Sequence, residues 1–99
     1  MVSLGTLPKQ CEVLGNTITI VAKRIVLDDN GLSVNGTYEA EKNAIEISTA
    51  QPVEKQWQTL FHELYHVILN YSGQSELDKD ETHVELAAQI GFQIARTLA

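Results

Sequence analysis

Between Pro52 and Gly73 the chain carries its clearest helical period, and one face of that helix bears the run His62-Glu63-Leu64-Tyr65-His66. At about 100° per residue, Val53, Trp57, Leu60, Leu64, Ile68 and Tyr71 gather on one stripe, whereas His62 and His66 lie opposite, near Lys55, Thr59 and Asn70. A helix patterned this way packs in one direction and offers two imidazoles, one turn apart, in the other. Imidazoles at this spacing can grip a single zinc ion, with the glutamate after the first histidine standing beside it. The plainer reading is two exposed helical histidines around an ordinary glutamate; the helical setting and the acids further along the chain weigh against it.

The rest of the chain supplies elements to support such a helix. Proline at position 52 suits a helix start, because its missing N–H would have no intrahelical partner there, and Gly73 is a natural C-terminal stop. Upstream, residues 11–14 and 17–23 are β-branched and partly alternating, with Gly15-Asn16 where a two-residue hairpin turn would sit. Asp28-Asp29-Asn30-Gly31 is a turn signal. A second hairpin is expected from residues 32–40 and 44–49 around Glu41-Lys42-Asn43, and Ile45 and Ile47 alternate with Glu46 and Ser48 as in a strand with one wet face. Residues 1–10 read as a loose lead, and residues 72–79 as a polar connection. Asp78, with Glu81 three residues on, has capping-box spacing for a last helix, whose apolar stripe would be Val84, Ala87, Gly91, Ile94 and Leu98. Small residues Ala87, Ala88 and Gly91 would allow close approach to its neighbour. The expected class is α+β: one domain over residues 1–99, with a small, mostly antiparallel sheet of two hairpins followed by the histidine-bearing helix and a C-terminal helix.

Composition narrows the function classes. Seven Lys and Arg against 13 Asp and Glu give a net charge of -6, the wrong sign for an obligatory nucleic-acid partner. No apolar run approaches a membrane-spanning length, so no membrane partner is expected. Met1-Val2-Ser3-Leu4-Gly5 lacks the basic and apolar regions of a secretory signal, which places the chain in the cytoplasm as an expectation. Cys11, the single cysteine, agrees with a reducing compartment and reads as a small apolar strand residue.

A catalytic zinc takes three protein ligands and keeps one open position, so the histidine pair needs a third partner. Glu81, His83 and Glu85 are the candidates at the start of the last helix. His83 lies nearly opposite Glu85 around that helix, so both cannot point at one ion; periodicity does not separate Glu81 from Glu85.

Residues 59–68, Thr-Leu-Phe-His-Glu-Leu-Tyr-His-Val-Ile, followed by Asp80-Glu81 and Val84-Glu85-Leu86-Ala87-Ala88-Gln89, resemble the small zinc metallopeptidase-like proteins encoded by bacteriophages and prophages. These are similar to the ImmA/IrrE group of minimal gluzincin-type peptidases. Gly36-Thr37-Tyr38 and Asn43-Ala44-Ile45-Glu46-Ile47 also look like that family's hairpin before the active-site helix, so the likeness runs from about Leu32 to Leu98. The resemblance implies a zincin-like fold in a bacterial host cytoplasm, a Zn2+ cofactor, His62 and His66 as ligands, and Glu63 as general base. It also implies Glu85 as third ligand, since Glu85 matches the Glu of the family's Glu-x-x-Ala-Asn segment; this chain has Gln89 where Asn is usual. Glu81 and Gln89 are then the residues to consider behind the ligand imidazoles, with Glu81 and His83 as alternative ligands.

The chemistry expected of such a site is hydrolysis of a peptide or protein substrate by metal-activated water. For stabilising the oxyanion, Tyr65, Tyr71 and His83 are the donors to consider, while Trp57, Phe61 and Phe92 read as core. The rival is a catalytically silent, zinc-stabilised module of the same fold that binds a partner protein. A retained Glu63 favours the enzyme, because a purely structural metal site has no need of a base beside it.

Overall fold

Alternating isoleucines decide where the core forms. In the computed structural model, which describes residues 5–98, Ile18 and Ile20 on one strand and Ile45 and Ile47 on its neighbour turn to the same side of a sheet and are buried there against Leu60 and Val67 of the long helix. Fully burying side chains of this size stabilises the fold by roughly 1.5–3 kcal/mol each. Ser48, expected on the wet face, is also buried, and its hydroxyl donates to the Arg24 carbonyl at 3.0 Å.

The sheet has the order β1 (Gln10–Val13), β2 (Asn16–Lys23), β6 (Ala44–Ser48), β5 (Gly36–Glu39). Pairs β1/β2 and β5/β6 are antiparallel, as two hairpins require, and the central β2/β6 pair is parallel, with Ile20 opposite Ile45 and Ala22 opposite Ile47. The stretch between β2 and β5 crosses over and so permits this parallel pairing. It contains a separate two-stranded ribbon, β3 (Val26–Leu27) with β4 (Ser33–Val34), closed by the expected turn, where the Asp28 carboxylate accepts from the amides of Asn30 and Leu32 at 2.9 Å. The first hairpin turns one residue earlier than expected, at Leu14-Gly15, both at positive φ, and the Asn16 side chain ties it by donating to the Leu14 carbonyl at 3.2 Å. The second turns through a short 3-10 segment, Ala40–Lys42, ending on Asn43 in the left-handed region.

Helix α1 spans Val53–Tyr71, with Pro52 at its N-cap. Gly73, at φ +72°, ends it with the Gln74 amide donating back to the Leu69 carbonyl at 2.9 Å. Its buried face is wider than a single stripe, because the sheet covers one flank and the last helix another. Leu60 and Val67 meet the sheet; Val53 and Ile68, expected in the stripe, are 49% and 41% exposed. A short turn of helix, α2 (Ser75–Asp78), occupies what the sequence left as a polar connection.

The last helix, α3 (Glu81–Leu98), packs along α1. Its buried residues are Val84, Ala88 and Phe92, while Ile94 and Leu98, expected in its stripe, are 55% and 81% exposed. Against the expected stripe, the helix is turned by roughly a fifth of a turn at 3.6 residues per turn. Phe92 goes with the difference: it is buried where Ile94 and Leu98 are not, with its ring 6.0 Å from that of Phe61. The rotation brings the Glu81 and Glu85 side of the helix round toward α1. No helix among the described residues is long and apolar enough to cross a membrane.

One glycine sets how closely α1 approaches the sheet. A Cβ on Gly36 of β5 would lie 2.6 Å from the Thr59 methyl and 3.1 Å from the Glu46 carbonyl oxygen. Thr59 is held by its hydroxyl, which donates to Gln51 Oε1 at 3.2 Å, so it does not swing away without losing that bond. Gly36→Ala is expected to cost about 1–3 kcal/mol, the usual penalty of overpacking. Urea unfolding would read it, and a variant as stable as the parent would refute the tight fit.

Candidate metal centre

The period of α1 places His62 and His66 side by side, with ring centroids 5.0 Å apart, and the C-terminal elements close over them. Glu81, the first residue of α3, straddles the pair: Oε2 lies 3.1 Å from Nε2 of His62 and Oε1 lies 3.2 Å from Nε2 of His66. The outer ring nitrogens are also engaged. Nδ1 of His62 is 2.9 Å from Glu85 Oε2, and Nδ1 of His66 is 2.7 Å from Asp78 Oδ1.

These contacts constrain the protons. An ionised carboxylate only accepts hydrogen bonds, so each Nδ1 must be the donor to its acid. A neutral imidazole then has a bare lone pair on Nε2, and both lone pairs face the Glu81 oxygens, acceptor against acceptor. Two imidazolium rings would satisfy the geometry only by packing two cations side by side. A divalent cation among the two Nε2 atoms and the carboxylate removes the conflict, and the donor set of two imidazoles and one carboxylate is one that zinc accepts. The ligand atoms of His62, His66 and Glu81 all lie within 4.8 Å of one another. Carboxylates on the far nitrogens fix the tautomer that leaves both Nε2 lone pairs free for a cation.

The resemblance implied Glu85 as a third ligand. Glu85 lies instead on the outer nitrogen of His62, where Gln89 holds its other oxygen by donating to Oε1 at 3.1 Å. Asp78 is the residue that sequence reasoning missed. Read as a helix cap, it faces His66, and the cap is Asp80, whose Oδ1 accepts from the His83 amide at 3.1 Å. A second acid three residues before Glu81, in Asp78-Lys79-Asp80-Glu81, was the available signal. Of the expected oxyanion donors, the Tyr65 hydroxyl and Nε2 of His83 pair with each other at 3.0 Å, and the Tyr71 hydroxyl donates to Asn43 Oδ1.

Glu63 sits beside the pair at the wall of a cleft of about 270 Å³. Burial pushes its carboxyl above the usual carboxylate range; His62 and His66 pull the other way, and Glu81 and Asp78 add to the rise. The sign for stability follows from linkage. A folded state that holds a proton more tightly than the unfolded chain loses stability as pH rises from the ordinary carboxylate range through the raised pKa. In chelator-treated protein this decline should be present in the parent and absent from Glu63→Gln, read by urea unfolding between about pH 4 and 8. Parallel profiles would contradict the upward push on the Glu63 carboxyl.

The model of the IrrE N-terminal-like domain family, Peptidase_M78, matches residues 17–96, most of the chain and all of the residues that build this site. No curated protein and no solved structure matches the chain.

Proposed function

The chain belongs to the IrrE N-terminal-like domain family, and on that premise we propose that it is a zinc-dependent metallopeptidase that hydrolyses a peptide bond with Glu63 as general base. The observation that carries this reading is the convergence of two Nε2 atoms on the Glu81 carboxylate, each imidazole backed by an acid and a half-buried glutamate standing alongside.

In this reading His62, His66 and Glu81 hold the ion, and Glu85 and Asp78 orient the two rings. Zinc, when bound, lowers the pKa of a coordinated water toward about 7 and polarises a carbonyl oxygen. Glu63 takes the proton of the attacking water and hands it to the departing amine, the two transfers a peptide hydrolysis needs. Its partial burial suits that task, because a carboxyl pushed above the ordinary carboxylate range is a stronger base than an exposed one. Gln89 acts one step further out, by holding Glu85 against His62.

The test is metal analysis of the purified protein together with cleavage of a peptide library. One zinc per chain and cleavage lost on chelation and restored by zinc are the expected results. One zinc per chain with no cleavage of any peptide would favour the silent, partner-binding module of the same fold. Absence of zinc from the folded protein would overturn both readings.

A further inference from the structure

Three features lie outside the chemistry above: the exposed apolar row Leu86, Ile90, Ile94 and Leu98 on the outer side of α3, the Tyr65–His83 pair, and the cleft in front of Glu63. The apolar row has no identifiable occupant, and Tyr65 and His83 satisfy each other. The cleft goes further, because its wall carries side chains that the fold itself does not use.

Besides the site residues His62, Glu63 and Glu85, Asn35, Gly36, Gln51, Lys55, Gln58 and Thr59 line this cleft. Gln51 and Thr59 are committed to each other, and Gln51 Nε2 donates to the Asn35 carbonyl at 3.3 Å. The side chains of Asn35, Lys55 and Gln58 have no hydrogen-bond or ion-pair partner among the described residues. Among the described residues, a second cleft that borders His62, lined also by Glu81, Thr82, Glu85, Leu86 and Gln89, has no Lys or Arg in its wall, whereas this one has Lys55. Set against the carboxylates of Glu63 and Glu85 in the same wall, an ammonium that shares this cleft with two uncommitted amides is a complement for an anion.

We propose that Lys55, assisted by Asn35 and Gln58, is a specificity-determining residue that takes a carboxylate of the bound peptide, either an Asp or Glu side chain or the chain terminus. Lys55 precedes His62 by seven positions on α1, about 10 Å along the axis at 1.5 Å per residue. An extended peptide advances about 3.3 Å per residue, so the carboxylate belongs about three residues from the bond at the metal. The proposal rests on the peptidase reading for the position of that bond, but the binding it asserts does not need turnover.

The test is therefore binding. Zinc-loaded Glu63→Gln protein is titrated, by NMR shift perturbation, with alanine-based peptides in which one Asp is moved along the chain, with their Asn counterparts, and with the same neutral peptides ending in a free carboxylate or an amide. The expected result is about fivefold tighter binding of the acidic member at one position, weakening with salt, as for a partly exposed ion pair. Lys55→Met should abolish the preference and Lys55→Glu should reverse it; position 55 is exposed, and both residues are tolerated in helices. A preference confined to the free terminus assigns the carboxylate to the chain end; one confined to the Asp series assigns it to a side chain. No acid-dependent difference, whether all peptides bind equally or none binds, overturns the proposal. Cleavage without acid preference would sink this proposal and leave the peptidase reading standing; Lys55-dependent binding without cleavage by the parent would do the reverse.

Discussion

Glu63→Gln is expected to keep one zinc per chain and to lower peptide hydrolysis by a factor of about 10²–10⁴, the usual worth of a positioned general base. Glutamine preserves the size and hydrogen-bonding reach of the side chain but cannot take a proton. It also removes a carboxylate whose burial is unfavourable, so the fold should not suffer. The control matters as much as the loss: metal content, measured on the same sample, must be unchanged. A variant that cleaves like its parent would remove Glu63 from the mechanism, and one that loses zinc would make it a ligand.

The second large effect separates the two acids of α3. Glu81→Ala is expected to strip the protein of zinc at stoichiometric metal, because it leaves two imidazoles alone where three ligands are needed. Glu85→Ala should weaken zinc binding only about 10–100-fold, as loss of an outer partner of a ligand histidine does, and Asp78→Ala should do the same through His66. Competition with a chromophoric chelator reads all three. The order Glu85 far above Glu81 would return the third ligand to the position implied by the family resemblance.

Both predictions depend on a rotation that periodicity could not supply. From the sequence, the stripe of the last helix is centred near Ala87, and Glu81 and Glu85 only flank it. In the fold, Phe92 seeks Phe61, the helix turns, and both acids arrive at the histidines, one on the inner nitrogens and the other on an outer one. Asp78 was misread for a related reason. An acid near a helix start satisfies the local rules for a cap, and whether it caps or meets His66 is settled by where α2 ends, which no local rule contains. The parallel β2/β6 pairing was hidden likewise: each hairpin is a local object, but the pairing between them joins residues on opposite sides of a crossover.

Whatever can be settled within one element was legible in the residues alone. Spacing on a single helix puts His62 and His66 on one face and Glu63 beside them, and alternation within single strands turns Ile18, Ile20, Ile45 and Ile47 to the core. The tertiary structure alone decided which acid meets which nitrogen, because that depends on the relative rotation of two packed helices. Periodicity fixes a face only to within a broad arc, whereas a hydrogen bond or a metal ligand must be placed to within a fraction of an ångström. Packing of large side chains such as Phe61 and Phe92 closes that gap.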